Sequence, residues 1–291
     1  MNADDDVTVG IYLPTRNRAG LLPRAVASVL NQSHRQLELI IVDDGSHDST
    51  PTVIAEFVAR DARVRTLRMS SAVGAPAARN AAIRASTARW VTGLDDDDEM
   101  LPDRLRALLA ARDHRYSLIG SGAILDTGRW RKPLRCSESI VTLDDELYGD
   151  RIGTQALFER TRMLDLGGFD ESMQAWQDYD LWVRMIAAYG SAKRLARASY
   201  VIHADAERHR VSQNGAAGAA QFLAKHGAMM NSAQRSNQEF ELAMLRGERL
   251  TIGDALRYTH RRNLTRPLRY CLTSAAPALR NVAAAYRRLR Y

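Results

Sequence analysis

Apolar and polar positions along the first 125 residues switch repeatedly between a strand pattern and a helix pattern. Short apolar runs predict strands at Val7 to Leu13, Leu37 to Val42, Val64 to Arg68, Trp90 to Leu94 and Tyr116 to Gly120. Apolar residues at helical spacing predict helices at Leu21 to Asn31, after Ser49 and Pro51, and at Ala75 to Ala85. Strands that alternate with helices in this way predict an α/β fold, with a mostly parallel sheet flanked by helices.

The pattern is weaker after this region. From about Thr127 to Asp150 there is no clear period, and we interpret this stretch, which contains Trp130, Lys132 and Pro133, as a mobile loop. Helical periodicity returns at Asp178, and the chain beyond residue 216 is predicted to be helical.

The composition is that of a globular protein, with 45% hydrophobic and 26% charged residues. The two cysteines, Cys136 and Cys271, are far apart and lack the C-x-x-C spacing of metal or redox sites, which favours a cytosolic setting. The polar, acidic start from Met1 to Asp6 lacks the features of a signal peptide, and no run of about 18 apolar residues predicts a membrane-spanning helix. We therefore expect a cytoplasmic protein.

The positive charge is concentrated in the C-terminal tail. The formal net charge is +7, and residues 246–291 contain eleven arginines against two carboxylates, so the preceding 245 residues carry about −2. Thr251 and Asp254 have the spacing of a capping box at a helix start. An apolar stripe lies opposite four arginines; its residues are Leu279, Val282, Tyr286 and Leu289, and the arginines are Arg280, Arg287, Arg288 and Arg290.

This tail has two interpretations. A basic amphipathic helix can lie on an anionic membrane surface, here the inner face of the cell membrane, or it can pack on the core of its own protein with the arginines in water. Nucleic-acid binding is not expected, because the sequence has no recognisable nucleic-acid-binding domain and no aromatic residues interleaved through a basic sheet face.

Polar residues follow three of the predicted strands. The first strand runs into Pro14-Thr15-Arg16-Asn17, the second into Asp43-Asp44-Gly45-Ser46, and the strand ending at Leu94 into Asp95-Asp96-Asp97-Asp98. Ligands of open α/β sheets bind beyond the carboxyl ends of the strands. Neither G-x-G-x-x-G nor G-x-x-x-x-G-K-[ST] is present, which disfavours dinucleotide-dependent dehydrogenases and phosphate-loop proteins.

Four consecutive carboxylates repel one another, and this repulsion must be offset by solvent or by a bound metal ion. Mg²⁺ and Mn²⁺ are the ions that prefer such oxygen ligands and bridge to phosphates. A solvated acidic turn is the alternative, and the position at a strand end favours the metal site.

Six motifs then occur in a fixed order along residues 7–212: VTVGIYLPTRNR, LELIIVDDGSHDST, GAPAARNAAIRAS, WVTGLDDDDEMLPDRL, GGFDE and QDYDLWVR. This set resembles glycosyltransferase family 2, whose members have the GT-A fold, use nucleotide-sugar donors and generally invert the anomeric centre. The resemblance implies a Rossmann-like nucleotide-sugar-binding half at 1–125, an acceptor-binding and catalytic half at 126–225, and a basic helical C-terminal extension at 226–291.

Several residues match the positions at which the family binds its donor. The resemblance places Pro14, Thr15 and Arg16 against the base and ribose, Asp44 on the base, and Arg79 near the nucleotide.

The acidic run and two later segments match the family's metal and catalytic positions. Asp95 and Asp97 resemble the family's D-x-D pair, with Asp95, or Asp96 in its place, towards the ribose and Asp97 on the metal ion that binds the diphosphate. Asp178 matches the catalytic base, with a helix N-terminal carboxylate as the alternative. His209, ahead of His203, is a candidate for an additional metal ligand, although a lone histidine is more often an ordinary surface or packing residue.

The resemblance therefore predicts a Mn²⁺- or Mg²⁺-dependent inverting glycosyltransferase with a nucleotide-sugar donor and a saccharide or lipid-linked acceptor, as in cell-surface polysaccharide or glycolipid biosynthesis. UDP is the expected nucleotide, with GDP and dTDP open. The chain departs from the family in having Gln177 where a glutamate usually precedes the base, and it lacks the Q-x-x-R-W motif of polysaccharide synthases, so a single addition is expected. A catalytically silent nucleotide-sugar-binding module is the alternative, and Asp178 argues against it.

Overall fold

The structure is a computed structural model that describes residues 6–204 and 214–275. In these residues the chain forms two compact units. The first contains residues 6–143, 151–172 and 177–204, and the second contains residues 144–150, 173–176 and 214–275. The three-part division expected from the sequence remains an interpretation.

The first unit is built on a central sheet. Its strands in the described residues are β1 Val9–Thr15, β2 Leu37–Asp43, β3 Val64–Arg68, β4 Trp90–Gly93, β5 Glu99–Met100, β6 Leu118–Asp126, β7 Arg131–Leu134, β8 Ser139–Val141, β9 Leu157–Glu159 and β10 Ala192–His203. The helices of both units are α1 Leu22–Leu30, α2 Thr50–Arg60, α3 Ala75–Ala85, α4 Arg104–Ala110, α5 Leu143–Tyr148, α6 Arg160–Asp165, α7 Gln177–Tyr189, α8 Gly215–His226, α9 Ser232–Leu245, α10 Ile252–Arg257 and α11 Arg266–Ala275.

The strand order is β3-β2-β1-β4-β9-β6-β10-β5, with β7 paired to β6 and β8 paired to β10. The pairs β1–β2, β1–β4, β2–β3 and β6–β10 are parallel, whereas β9 runs antiparallel between β4 and β6. Because β9 is antiparallel to both of its neighbours, β4 and β6 run in the same direction. β6 and β10 therefore point the same way as β1, β2 and β4.

Both faces of this sheet are buried. Along β1, Ile11 and Leu13 pack in one apolar cluster with Val26 of α1, whereas Tyr12 packs in a second cluster with Ala82 of α3. Each fully buried aliphatic side chain stabilises the fold by roughly 1.5–3 kcal/mol. A mostly parallel sheet covered by helices on both faces confirms the α/β expectation, and the five predicted strands correspond to β1, β2, β3, β4 and β6.

The expectation of a loop over Thr127 to Asp150 is wrong. β6 continues to Asp126, turns back through residues 127–130 into β7, and is followed by β8 and α5. The strands are only three or four residues long and largely exposed, so they leave no detectable period in the sequence.

The second unit is helical in its described C-terminal part. Asn231 caps α9 and Thr251 caps α10, each through a capping box, and the second of these was predicted. Phe240, Leu250 and Cys271 belong to its apolar cluster. No helix among the described residues is long and apolar enough to cross a membrane, and the tail stripe from Leu279 to Leu289 lies outside those residues.

Candidate active site

The carboxyl ends of the parallel strands meet along one edge of the sheet. β1, β2, β4, β6 and β10 run in the same direction, so Asp44, the acidic turn Asp95–Asp98 and His203 lie along this edge. Open α/β sheets bind their ligands at such an edge. The structure thus brings together the strand ends that the sequence singled out.

The acidic turn lies between β4 and β5. The Asp98 N–H donates to the Asp95 carbonyl at 3.1 Å. Burial, together with the charges of Asp95 and Asp97, raises the pKa of Asp98 to about 8. Burial also raises the pKa of Asp96 to about 6. The protein therefore compensates only part of the negative charge of this turn, and a bound cation would stabilise it.

The donor atoms of this turn fit a divalent cation whose coordination is completed by substrate. Mg²⁺ is usually held by one or two carboxylates plus phosphate oxygens, and Mn²⁺ prefers the same oxygen ligands. Among the residues that the structure describes, no group of three or more His, Cys, Asp or Glu side chains is arranged to hold a metal ion. Asp97, partly exposed in the turn, would hold the cation only together with donor phosphates.

β10 ends at His203, beside the acidic turn. The His203 N–H donates to Asp98 Oδ1 at 2.9 Å, and its Nε2 lies 2.7 Å from Glu99 Oε1. Glu99 also pairs with Arg24 at 3.2 Å. His203 thus fixes the turn through its backbone, whereas His209, the favoured metal-binding histidine, lies outside the described residues.

Arg79 connects the acidic turn to the predicted base. This side chain on α3 is only 6% exposed; its Nη2 donates to Asp95 Oδ1 at 2.7 Å and its Nη1 to Asp178 Oδ1 at 3.1 Å. Burial by itself would lower the pKa of Arg79, but the carboxylates of Asp178 and Asp95 raise it above its ordinary value. The sequence predicted a nucleotide contact for Arg79, and the structure places its guanidinium between two carboxylates.

Asp178 and Asp180 both lie in the first turn of α7 but have different surroundings. Asp180 is fully buried and pairs with Arg184 at 2.8 Å, so it has a structural role. The Asp178 side chain is 21% exposed and reaches the carboxyl edge of the sheet through its contact with Arg79. Of the two carboxylates, Asp178 is the one that is partly exposed.

The Gly-Gly-Phe-Asp turn is held by Asn80, the neighbour of Arg79. Asn80 Oδ1 accepts from the Phe169 N–H at 2.8 Å, and its Nδ2 donates to the Phe169 carbonyl at 2.9 Å. Gly168 has φ +82°, and a Cβ there would lie 2.4 Å from Asn80 Oδ1. The Arg-Asn pair of α3 therefore positions two parts of the site at once.

Asp95 is also hydrogen-bonded to a buried polar network. Gln155 Nε2 donates to Asp95 Oδ1 at 3.2 Å, and Gln155 Oε1 accepts from the Tyr12 hydroxyl at 3.0 Å. Arg104 donates to the Gln155 carbonyl, and burial lowers its pKa to about 10. The Asp95 N–H donates to the Tyr200 hydroxyl at 3.2 Å.

This network was not predicted from the sequence. The available signal was Tyr12 within the apolar run of β1 and Tyr200 beside Val201 and Ile202 in β10, since a buried tyrosine hydroxyl needs a hydrogen-bond partner.

The loop that follows β2 is fixed by two aspartates. Asp44 accepts from the Val73 N–H at 2.6 Å and from the Gly74 N–H at 3.0 Å, so its carboxylate orders the segment that leads into α3. Asp43 Oδ1 accepts from the Ser46 N–H at 2.9 Å. A contact between Asp44 and the donor base remains a prediction.

The end of β1 lies next to this loop. Pro14 and Thr15 are buried, whereas Arg16 is exposed. The Thr15 carbonyl accepts from the Asp44 N–H at 2.9 Å, which ties the two predicted donor-binding segments together. Trp182, by contrast, is fully buried in the core.

Comparison with known proteins supports the family resemblance. The family model described as "Glycosyl transferase family 2" matches residues 11–163. The putative colanic acid biosynthesis glycosyl transferase WcaA of Escherichia coli K12 is 29% identical over 84% of this chain and 90% of its own length. The UDP-Glc:alpha-D-GlcNAc-diphosphoundecaprenol beta-1,3-glucosyltransferase WfgD of Escherichia coli is 35% identical over 35% of this chain and 39% of its own length.

Solved structures share the fold. Residues 1–349 of Staphylococcus aureus TarS in complex with UDP match with a TM-score of 0.61 and 17% identity, over 83% of this chain and 71% of that one. The mannosyltransferase PcManGT of Pyrobaculum calidifontis in complex with GDP-Man and Mn²⁺ matches with a TM-score of 0.59 and 18% identity, over 97% of this chain and 80% of that one.

Proposed function

Because this chain belongs to glycosyltransferase family 2 and is a glycosyltransferase of the GT-A fold, we propose that it transfers a sugar from a nucleotide-sugar donor, with inversion, to a saccharide or lipid-linked acceptor. The observation that carries the proposal is the ion pair of Arg79 with both Asp95 and Asp178. A carboxylate of the acidic turn and the partly exposed Asp178 carboxylate both pair with one buried guanidinium, so a candidate donor-binding group and a candidate base lie on either side of Arg79.

The donor is proposed to bind at the ends of β1, β2 and β4. Asp44, Asp95 and the segment Pro14–Arg16 would contact base and ribose. UDP is the favoured nucleotide because TarS binds it in the same fold, and GDP stays open because PcManGT binds GDP-Man. A divalent ion held by Asp97 and the donor phosphates would stabilise the charge that the diphosphate gains as it leaves.

Asp178 is proposed to act as the general base. An acceptor hydroxyl is a poor nucleophile, and a carboxylate that takes its proton during attack makes it reactive. Arg79 holds Asp178 Oδ1 and so orients the carboxylate. One base and no second nucleophilic carboxylate in the proposed chemistry imply a single displacement, hence inversion.

The acceptor is proposed to be lipid-linked or part of a growing glycan in polysaccharide biosynthesis, the processes named for WfgD and WcaA. The basic tail would suit an acceptor at an anionic membrane surface. Equal sedimentation with anionic liposomes of the full chain and of a chain ending at Gly247 would contradict that part.

The experiment is a thermal-shift screen of UDP-, GDP- and dTDP-sugars with and without Mn²⁺, on the wild type and on Asp97→Ala. A ligand that binds the folded state raises its melting temperature. We expect one donor class to raise the melting temperature of the wild type, and part of this rise to require Mn²⁺. Asp97→Ala should lose the Mn²⁺-dependent part of the rise and should also lose transfer activity. Full turnover in excess chelator would contradict the metal role, and no shift with any donor would contradict the donor class.

A further inference from the structure

The turn between β6 and β7 lies at the same sheet edge as the acidic turn. β6 runs parallel to β10, and its last residue, Asp126, pairs in register with His203. The Ala204 N–H donates to the Asp126 carbonyl at 2.6 Å, and the His203 N–H donates to Asp98. Residues 127–130, here called the β6–β7 turn, therefore start one strand away from the strand end that contacts the acidic turn.

This turn presents an exposed indole from a hydrogen-bonded backbone. The Thr127 N–H donates to the Trp130 carbonyl at 3.1 Å, and the Gly128 N–H donates to the Asp126 carboxylate at 2.8 Å. Trp130 is nevertheless 42% exposed, and it is the one aromatic among the large hydrophobic residues exposed in the described part of the chain. An exposed indole offers a flat apolar face and a hydrogen-bond donor to a ligand.

The chain around Trp130 is cationic. Residues 127–135 contain four cations and no carboxylate. Arg131 pairs with Asp126 at 2.7 Å, and Arg129 is exposed next to the indole. This positive segment stands close to a turn of four aspartates, so the two surfaces favour ligand groups of opposite charge.

Strand order separates this turn from the proposed donor side. Base and ribose are assigned to the ends of β2, β1 and β4, whereas β6 lies on the other side of β4, beyond β9. A group bound at the β6–β7 turn is therefore displaced along the sheet edge, towards β10, from the strand ends to which base and ribose are assigned.

We propose that the β6–β7 turn binds the acceptor, and that the acceptor carries a negative group next to its sugar, as a sugar diphosphate does. Trp130 contacts the apolar face of the acceptor sugar, and Arg129 pairs with the anionic group. This inference rests on the proposed function and adds the chemical class of the acceptor and the residues that select it.

The test compares two acceptor probes on the full-length protein in the presence of UDP and Mn²⁺. One probe is N-acetylglucosamine α-diphosphate on an undecyl chain, and the other is N-acetylglucosamine joined directly to the same chain. Calorimetric titration is done on the wild type, Trp130→Ala, Trp130→Phe, Arg129→Gln and the control Ile140→Ala. Ile140 is also an exposed apolar residue, 48% exposed, but it lies on β8, which pairs with the opposite end of β10.

We expect the wild type to bind the diphosphate probe more tightly than the neutral one. Trp130→Ala should weaken the affinity for the diphosphate probe about tenfold, and Trp130→Phe should keep most of the wild-type affinity. Arg129→Gln should remove most of the preference for the diphosphate probe, and Ile140→Ala should change nothing. Nucleotide-sugar stabilisation in the thermal-shift assay should stay the same in all variants.

Unchanged binding in Trp130→Ala and Arg129→Gln would overturn the proposal, as would equal binding of both probes by the wild type. A parallel loss of donor stabilisation in the variants would assign the turn to the donor diphosphate instead. A wild type that is stabilised by a donor but binds neither probe would reject the anionic acceptor while leaving the proposed function intact. A wild type that responds to no donor would reject the proposed function and this inference with it.

Discussion

The proposed donor side and the proposed acceptor side of the candidate active site are built in different ways. On the donor side, Asp44 and Asp98 follow parallel strands, are buried, and accept hydrogen bonds from backbone N–H groups. On the acceptor side, Asp178 starts a helix and Trp130 sits on a hairpin turn, and both side chains are partly exposed.

This difference indicates which changes of sequence each side can tolerate. A carboxylate fixed by backbone donors at a strand end cannot move without disturbing the sheet, so the donor side is preorganised for one kind of ligand. An exposed side chain on a turn, such as Trp130, can change without affecting the core, so the proposed acceptor side can vary in specificity. Arg79 joins the two sides by pairing with a carboxylate of each.

The largest effect is expected for Asp178→Asn, which keeps the size of the side chain but removes the proton acceptor. General-base assistance is worth about 10²- to 10⁴-fold, so transfer should fall by that order while donor affinity stays within a few-fold. Turnover and donor titration of the purified variant measure both, and the product should have inverted stereochemistry.

Asp180→Asn is the matched control on the same helix. It breaks a buried pair with Arg184 and should lower the melting temperature, because it leaves a cation without its partner. If Asp178→Asn transfers sugar within a few-fold of the wild type, the base lies elsewhere; if it loses donor binding, Asp178 is structural.

A smaller effect is expected for Arg79→Lys, which keeps one positive charge but cannot donate to both carboxylates with a fork of nitrogens. Transfer should fall about tenfold. The acid limb of the kcat–pH profile should move to higher pH, because a carboxylate protonates more readily when its cation is displaced.

Arg84→Lys, at an exposed position on the same helix, is the control and should behave like the wild type. An unchanged pH profile in Arg79→Lys would show that Arg79 does not act through Asp178.

The smallest effect is expected in the stability of the metal-free protein. The pKa values of Asp96 and Asp98 are raised to about 6 and about 8 in the folded protein, above the ordinary value of about 3.9. At pH values between the ordinary pKa and these raised pKa values, the folded state binds more protons than the unfolded state. The contribution of the two groups to the free energy of unfolding therefore decreases as pH rises.

The melting temperature without metal, compared between about pH 5 and about pH 8, should therefore fall more in the wild type than in Asp98→Asn. Mn²⁺ should raise the melting temperature more at the higher pH, where the carboxylates are charged. Parallel pH profiles of the wild type and Asp98→Asn would contradict the role of Asp98 in this dependence.

The sequence predicted the sheet well because hydrophobic periodicity is a local property. Four of the five predicted strands match within about two residues at each end, and the fifth, β6, is longer than expected. Hydrophobic periodicity did not predict β7 and β8. These short strands are stabilised by pairing with β6 and β10 rather than by an apolar pattern of their own.

The acidic turn could be predicted as a site from sequence, since its carboxylates are contiguous and follow a buried strand. The partners of those carboxylates could not. Arg79 meets Asp178 across 99 positions, and Tyr12 meets Gln155 across 143. No local pattern carries such pairings, because each depends on where the folded chain places segments that are distant in the sequence.

By itself, the sequence determined the α/β class, the strand ends and the family, because each of these resides in contiguous residues whose pattern survives without the fold. Tertiary structure decided that Arg79 compensates two carboxylates, that Asp180 is buried while Asp178 is partly exposed, and that Trp130 lies near the sheet edge that holds the acidic turn. These outcomes depend on burial and on distances between separate segments, and only the packed sheet fixes both.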